Sequence, residues 1–429
     1  MISRASFVAL RHRNYRLLWI GLFVSFSGSM MQNAGLLWHV SLLVPPERKG
    51  LALGMVGLVR VFPIVIFSMI SGVVADAWDR RKLMLFTQIA ATLVASVLAI
   101  LSFRGLRQVW PLYALAAIGS AVGAFDLPAR GALVPTLVPR EHLPNAISLN
   151  TIMFQTASVV GPSLGGLMIA SSGVGWVYVA NAISFGFVIV ALLMMRDVPA
   201  HPKSDIGSRD DVSWHAAMEG LRFVFRSPLI RSTMLLDFFA TFFSSATALL
   251  PIFAQDVLRV GAKGYGWLYA APAVGAMATS AALVPLVDRI ERRGPTLLWA
   301  VAGYGLATVV FGVSRSFWLT FLCLMLTGAT DTVSMVIRNI VRQLETPDRL
   351  RGRMMGVNMV FFMGGPQLGE LEAGAVANWL GAPFSVISGG LGCLIATGWV
   401  AGTTPALRRY GGHQAAENTE ATVSHRGTK

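Results

Sequence analysis

Apolar stretches of about 20 residues recur along the whole of this sequence. Each is long enough to cross roughly 30 Å of hydrocarbon at about 1.5 Å per residue. The pattern predicts spans near residues 16–41, 52–75, 82–103, 109–129, 144–170, 175–195, 232–255, 265–287, 295–313, 317–337, 355–378 and 383–402. Few folds are open to such a chain. Inside a bilayer every backbone N–H and C=O must find a partner within the protein, and apolar runs of this length do so as helices. The expected fold class is therefore an all-α integral membrane protein of twelve transmembrane helices. Only 13% of the 429 residues are charged, against about 25% in soluble chains. A charge at mid-depth costs at least ~2.5–3.5 kcal/mol, which accounts for the deficit.

The net charge of +14 would suit a nucleic-acid partner, but its distribution argues otherwise. With the N-terminus placed inside, 27 of the 35 Lys and Arg fall on inside segments and 7 on outside ones, and Arg60 lies within a span. Such an excess on one side orients membrane proteins. The basic balance is thus a topology signal, no nucleic-acid partner is expected, and both termini are placed in the cytosol. Cys323 and Cys393 fall inside spans, which speaks against a disulfide scaffold. The first span lacks a small-residue cleavage site after it and is expected to stay as an uncleaved helix. Residues 405–429 are polar and predict a disordered cytosolic tail.

An internal repeat organises the chain. Asp76-Ala77-Trp78-Asp79-Arg80-Arg81 follows the second span, and Asp288-Arg289-Ile290-Glu291-Arg292-Arg293 follows the eighth, at an offset of 212. Arg130, Pro139 and Asn150 match Arg338, Pro347 and Asn358 at 208. Gly161-Pro162-Ser163-Leu164-Gly165 matches Gly365-Pro366-Gln367-Leu368-Gly369 at 204. Three landmarks in the same order, at the same ordinal spans, define two parallel six-helix halves, 1–195 and 232–404, joined by a cytosolic linker at 196–231. Folds of this kind place a substrate site between the halves near mid-membrane, reached alternately from each side.

Ionisable residues inside spans are costly enough to imply a partner or a wet cavity. They are Arg60, Asp126, Asp237, Asp331, Glu370 and Glu372. Asp126 precedes Arg130 by one helical turn and reads as a structural ion pair. Gln32 and Asn33 in the first span are candidate substrate-binding amides, or interhelical contacts. His39 reads as a satisfied interfacial histidine. Phe239, Phe242 and Phe243 share a helix face, with Phe238 beside them. That face suits a flat organic ligand, or lipid contact and packing. Gly161, Pro162, Gly165 and Gly166 permit close helix approach. There is no Gly-x4-Gly-Lys-Ser/Thr loop, no His-Glu-x-x-His pair and no Gly-x-Ser-x-Gly elbow. No enzyme chemistry, ATP site, metal or cofactor is expected.

Over nearly its whole length the sequence resembles the major facilitator superfamily. Gly72-Val73-Val74-Ala75-Asp76-Ala77-Trp78-Asp79-Arg80-Arg81-Lys82 looks like that family's loop between helices two and three. Gly161-Pro162-x-x-Gly165-Gly166 resembles its exporter motif in helix five. Leu10–Trp19, Asp126–Arg130 and Leu137–Ala146 are most similar to the group of siderophore and macrolide exporters. Asp79 stands where the family loop has a glycine, and Leu112–Gly119 lacks an arginine found in many proton-coupled members.

The resemblance implies a multi-pass transporter of the cytoplasmic (inner) membrane. It would export a small organic molecule, a drug-like compound or siderophore, by alternating access across the lipid bilayer. An ion gradient, the proton being the expected coupling ion, would drive it. An importer or lipid flippase of the same fold is the alternative. Asp76 and Arg80, with Arg81, would gate by capping the eleventh helix, or only enforce topology. Asp237 and Asp331 would line the cavity and bind the coupling cation or proton. Arg60 lies about 12 Å in from the outer end of its span, with Glu370 at about 12 Å and Glu372 at about 9 Å. In the family's fold these helices face each other, so an Arg60–Glu370 ion pair is expected to close an outer gate.

Overall fold

The computed structural model describes residues 4–196, 214–243, 246–283, 285–347 and 350–411. All regular structure among them is helical. The N-terminal half holds α1 (Arg13–Leu43), α2 (Lys49–Ala77), α3 (Arg80–Phe103), α4 (Trp110–Leu133), α5 (Leu143–Ser172) and α6 (Val174–Met194). The C-terminal half holds α7 (Pro228–Phe243), continued by short turns through Val257, then α8 (Gly261–Leu283) and α9 (Arg293–Val313). It ends with α10 (Phe317–Glu345), α11 (Arg351–Leu380) and α12 (Ala382–Thr403). Nine helical stretches among the described residues are long and apolar enough to cross a membrane. α1, α8 and α11 are as long as the rest but carry more small and polar residues.

The helices run up and down, so each half has one end at the face where α1 starts and α12 ends (the terminal face) and one at the opposite, distal face. Local chemistry sets the ends. Asp79 caps α3 by accepting from the amides of Arg81 at 2.9 Å and Lys82 at 3.1 Å. Gly173 between α5 and α6, and Gly381 between α11 and α12, turn the chain at φ of 91° and 89°. These conformations suit glycine, and the two positions are equivalent in the repeat.

One expectation about the connecting and end segments needs correction. Within the linker, Trp214–Arg226 forms an amphipathic helix. Its Val224 joins Ile230, Met234 and Met354 in a small core, because an apolar face is best buried against the next helices. The rest of the linker, 197–213, lies outside the described residues. The segment expected to be a disordered tail starts with ordered structure, the short helix Pro405–Arg409. Leu407 and Tyr410 are buried against the C-terminal half, and the Tyr410 hydroxyl donates to Glu345 at 2.9 Å. Burial and that acceptor push the Tyr410 hydroxyl pKa upward. Residues 412–429 lie outside the described residues.

The apolar cores show how the halves meet. At the terminal face each half has its own, one around Tyr15, Leu18, Met84 and Leu133, another around Leu236, Leu297, Ile337 and Val400. Toward the distal face a large core is shared. It joins Met31, Trp38 and Ile169 of one half to Phe253, Tyr265, Phe311 and Ala377 of the other.

Candidate transport site and gate

The halves are pressed together at the distal face by two helix crossings, α2 on α11 and α5 on α8. Both are made by glycine. A β-carbon at Gly374 would lie 2.5 Å from the carbonyl oxygen of Gly50 and 2.7 Å from the Cα of Gly54. One at Gly166 would lie 2.6 Å from the Ala262 oxygen and 2.7 Å from the Gly266 Cα. Removing side chains lets backbones meet, which is the main source of attraction between helices in lipid.

Polar bonds reinforce this seal. Lys49 Nζ, at the start of α2, donates to Asp256 Oδ2 at 3.0 Å and to Gln255 Oε1 at 2.9 Å. Gln255 Nε2 donates to Ser41 Oγ at 2.7 Å, and the Tyr265 hydroxyl to the Ala34 carbonyl at 2.8 Å. Each joins one half to the other. His39, as a satisfied group, meets the Tyr178 hydroxyl at 3.1 Å.

Inside the N-terminal half, among α1, α2, α3, α4 and α6, lies a cavity of about 740 Å³. Gln32, Asn33, Arg60, Asp126 and Arg130 all line it. Arg60 Nη2 donates to Asn33 Oδ1 at 3.3 Å, and Asn181 Nδ2 donates to Gln32 Oε1 at 2.8 Å. Asp126 and Arg130 form an ion pair one turn apart on α4. Asp126 also accepts from Thr87 Oγ1 at 2.9 Å and Gln88 Nε2 at 2.8 Å. The Arg130 guanidinium lies 4.2 Å from the centre of the Phe26 ring. The carboxylate and its arginine thus neutralise each other nearer the terminal face, and Arg60 sits deeper.

The C-terminal half answers with a chain of charges. Arg338 Nη1 lies 2.8 Å from Asp237 Oδ1, with side chains only 2% and 4% exposed. Its Nη2 donates to Asp331 Oδ1 at 3.4 Å, and Asp331 is 45% exposed. Arg342 Nη1 lies 4.0 Å from Asp237 Oδ2, and Arg342 also bonds Asn339 at 2.7 Å and Asn358. Asp331 opens on a smaller cavity of about 120 Å³ that Thr247, Tyr304 and Thr327 also line. Asp237 is therefore locked by arginine, whereas Asp331 is partly exposed and borders a cavity.

Arg338 and Arg342 were not among the expected site residues. They counted as charges of an inside segment because the tenth span was ended at 337, yet α10 continues to Glu345. Asp331, Arg338 and Arg342 recur at seven and four residues on that helix, one face in helical period. This spacing is the signal that would have found them.

The other expectations fall as follows. The ion pair expected between Arg60 and Glu370 is not formed, although the distal face is closed. Glu370 is the residue at matching depth, but close glycine packing seats its carboxylate against Gly57, while Arg60 turns to Asn33 in its own half. Glu372 is half-buried and enters none of the ion pairs among the described residues. Phe239 and Phe243 stack at 5.9 Å and turn to α12, where Phe239 meets Trp399 edge-on and Phe243 packs on Gly392. They pack helices instead of lining either cavity. Phe242 stacks on Phe238 at 5.4 Å.

Within the Gly-Pro motif, Gly161 and Gly165 seat α5 on α1, and Gly166, beside Pro162, makes the crossing to α8. Arg80 donates to the Ala132 carbonyl at 2.8 Å, and Arg81 to the carbonyls of Leu192 at 2.8 Å and Leu193 at 3.3 Å. The basic cluster thus ties down the ends of α4 and α6, where helix dipoles favour cations. The side chain of Asp76 lies outside the described residues. Among those described, no group of three or more His, Cys, Asp or Glu is placed to hold a metal.

Comparison with known proteins follows the same lines. The sequence profile of the transmembrane secretion effector family matches residues 4–421. The enterobactin exporter EntS of Shigella boydii is 28% identical over 327 residues, covering 76% of this chain and 77% of that protein. Its counterpart in Escherichia coli O81 is 27% identical over the same length and shares of the two chains. Among solved structures, a POT family transporter in complex with 5-aminolevulinic acid superposes with a TM-score of 0.72 at 11% identity, over 92% of this chain and 96% of that one. A bacterial homolog of the human lysosomal transporter Spinster, inward-facing and unoccupied, gives 0.71 at 14% identity, over 93% and 99%. At such identities the structural likeness establishes the fold alone.

Proposed function

Because this chain belongs to the transmembrane secretion effector family of major facilitator transporters, we propose that it exports a small amphiphilic organic molecule by alternating access, driven by an ion gradient. The observation that carries this reading is the asymmetry of the cores. Among the described residues, the halves share an apolar core only toward the distal face, while each keeps a separate core at the terminal face. That is the geometry of one end state of a two-sided gate. With the basic segments and both termini in the cytosol, the structure is the state that loads cargo from inside.

The curated relatives point to a siderophore or drug-like cargo. Asp331 is the carboxylate suited to the coupling ion, the proton in the first instance. It borders a cavity and shares Arg338 with Asp237, so neutralising it frees part of that arginine's charge to bind Asp237 alone. Proteoliposomes without nucleotide test this. An imposed proton gradient should drive uphill movement of a dye or siderophore, and Asp331→Asn should leave downhill movement while abolishing the uphill part. Accumulation that needs ATP after the gradient is collapsed would refute the mechanism.

A further inference from the structure

We infer that the cargo is an organic acid, whose anionic group is held by Arg60 in the cavity of the N-terminal half. This rests on the exporter reading and names the chemistry of its site. Among the described residues, the ionisable ones lining that cavity are Arg60, Asp126 and Arg130. Asp126 and Arg130 are paired with each other, so one positive charge is left over. It belongs to Arg60, about 17 Å from the distal start of α2 at about 1.5 Å per residue, near mid-membrane.

A cation at this depth calls for a counter-ion. Arg60's hydrogen bond is to a neutral amide, Asn33, at 3.3 Å, and no carboxylate lies within 4.0 Å of it among the described residues. Glu370, on the facing helix, is seated against Gly57 instead.

The surroundings fit an acid group. A guanidinium fork matches a carboxylate or sulfonate through two parallel N–H bonds. Gln32, whose Oε1 is taken by Asn181, presents its NH2 group as a further donor beside Asn33. Phe26, Met30, Leu36, Ile64 and Phe185 supply apolar wall for the rest of the molecule. A volume of about 740 Å³ lies in the range of sites that enclose drug-sized ligands.

The test is binding to the full chain in lipid nanodiscs, with three dyes that share one ring system. Anilinonaphthalene sulfonate is the anion, phenylnaphthylamine its neutral parent, and a trimethylammonium derivative the cation. The wild-type chain should prefer the sulfonate to both others. Arg60→Gln should weaken sulfonate binding about tenfold or more, as expected for loss of a charge-assisted contact, and leave the neutral parent within about twofold. Arg60→Lys should restore part of the preference. Asn33→Asp places an internal carboxylate beside Arg60 and should mimic an occupied site, abolishing the preference without touching Arg60.

Failure of the wild-type chain to prefer the sulfonate overturns the assignment. So does an equal loss of sulfonate and parent in Arg60→Gln, or an undiminished preference in Asn33→Asp. Because binding is read apart from transport, intact sulfonate selectivity in a chain that moves none of the dyes across vesicles counts against the exporter reading and not against Arg60.

Discussion

Lys49 and Asp256 belong to opposite halves of the molecule and meet at 3.0 Å at the distal face, one side chain 9% exposed and the other 47%. With its carboxylate half open to water, such a pair is screened and contributes on the order of 1 kcal/mol. Its loss should therefore bias the gate without breaking the protein, changing the ratio of distal-open to distal-closed molecules about fivefold or less. Lys49→Glu should raise the distal-open fraction, seen as longer distances between spin labels at Leu42 and Lys263. Adding Asp256→Lys should bring it back, and absence of any rescue would remove the bridge from the gate.

The glycine crossings predict an inverted substitution effect. In an open helical site Gly→Ala stabilises by about 0.5–1 kcal/mol. At Gly374 the added carbon meets the backbone of Gly50 and Gly54, which has no rotamer with which to yield. Gly374→Ala should lower thermal stability in detergent and reduce transport. Gly186→Ala, where nothing lies within 4 Å, should be neutral or mildly stabilising. Equal behaviour of the two variants would contradict the close packing of α2 on α11.

Asp237→Asn should be among the most destabilising single changes. It leaves Arg338, whose side chain is 2% exposed, with Asp331 alone at 3.4 Å, and takes a near neighbour from Arg342. Breaking one side of such a buried pair costs about 3–5 kcal/mol. A double variant, Asp237→Asn with Arg338→Gln, removes that arginine's charge as well and should recover a good part of the unfolding midpoint measured by size-exclusion thermal scans. A double variant no better than the single one would show that the cost arises elsewhere.

The segment after α12 is expected to be structural. Leu407 is fully buried, and truncating it to alanine should cost about 2–4 kcal/mol if the cavity does not collapse. Tyr410→Phe removes one hydrogen bond to Glu345 and should cost about 1 kcal/mol. Thermal midpoints of the two variants, taken with transport per folded molecule, check that this segment braces the half and does not bind cargo.

The helices were legible in the sequence because lipid imposes one simple rule on length and polarity. Pairing was legible only where it was local or repeated. Asp126 and Arg130 sit one turn apart, and the glycines of α5 recur in α11. What escaped depends on which helices cross. Nothing in the sequence brings Lys49 to Asp256, 207 positions away. Arg338 and Arg342 were hidden by reading basic residues after a span as solvated, when α10 carries them back among the helices. The Arg60–Glu370 pairing failed on less than one helical turn, a precision that span boundaries do not supply.

At Gly54 against Gly374, and at Gly166 against Gly266, backbone meets backbone with no side chain between. Interdigitated side chains resist sliding, because each must leave its groove before the next arrangement fits. Two glycine surfaces have no such ratchet and exchange only weak Cα–H···O contacts as they turn. In the alternating access proposed above, resistance to motion would then fall on the Lys49 bridge and on the apolar seam around Trp38 and Phe253. The crossings would act as bearings, two low-resistance pivots near the distal face about which the terminal ends of the halves would swing through the wider arc.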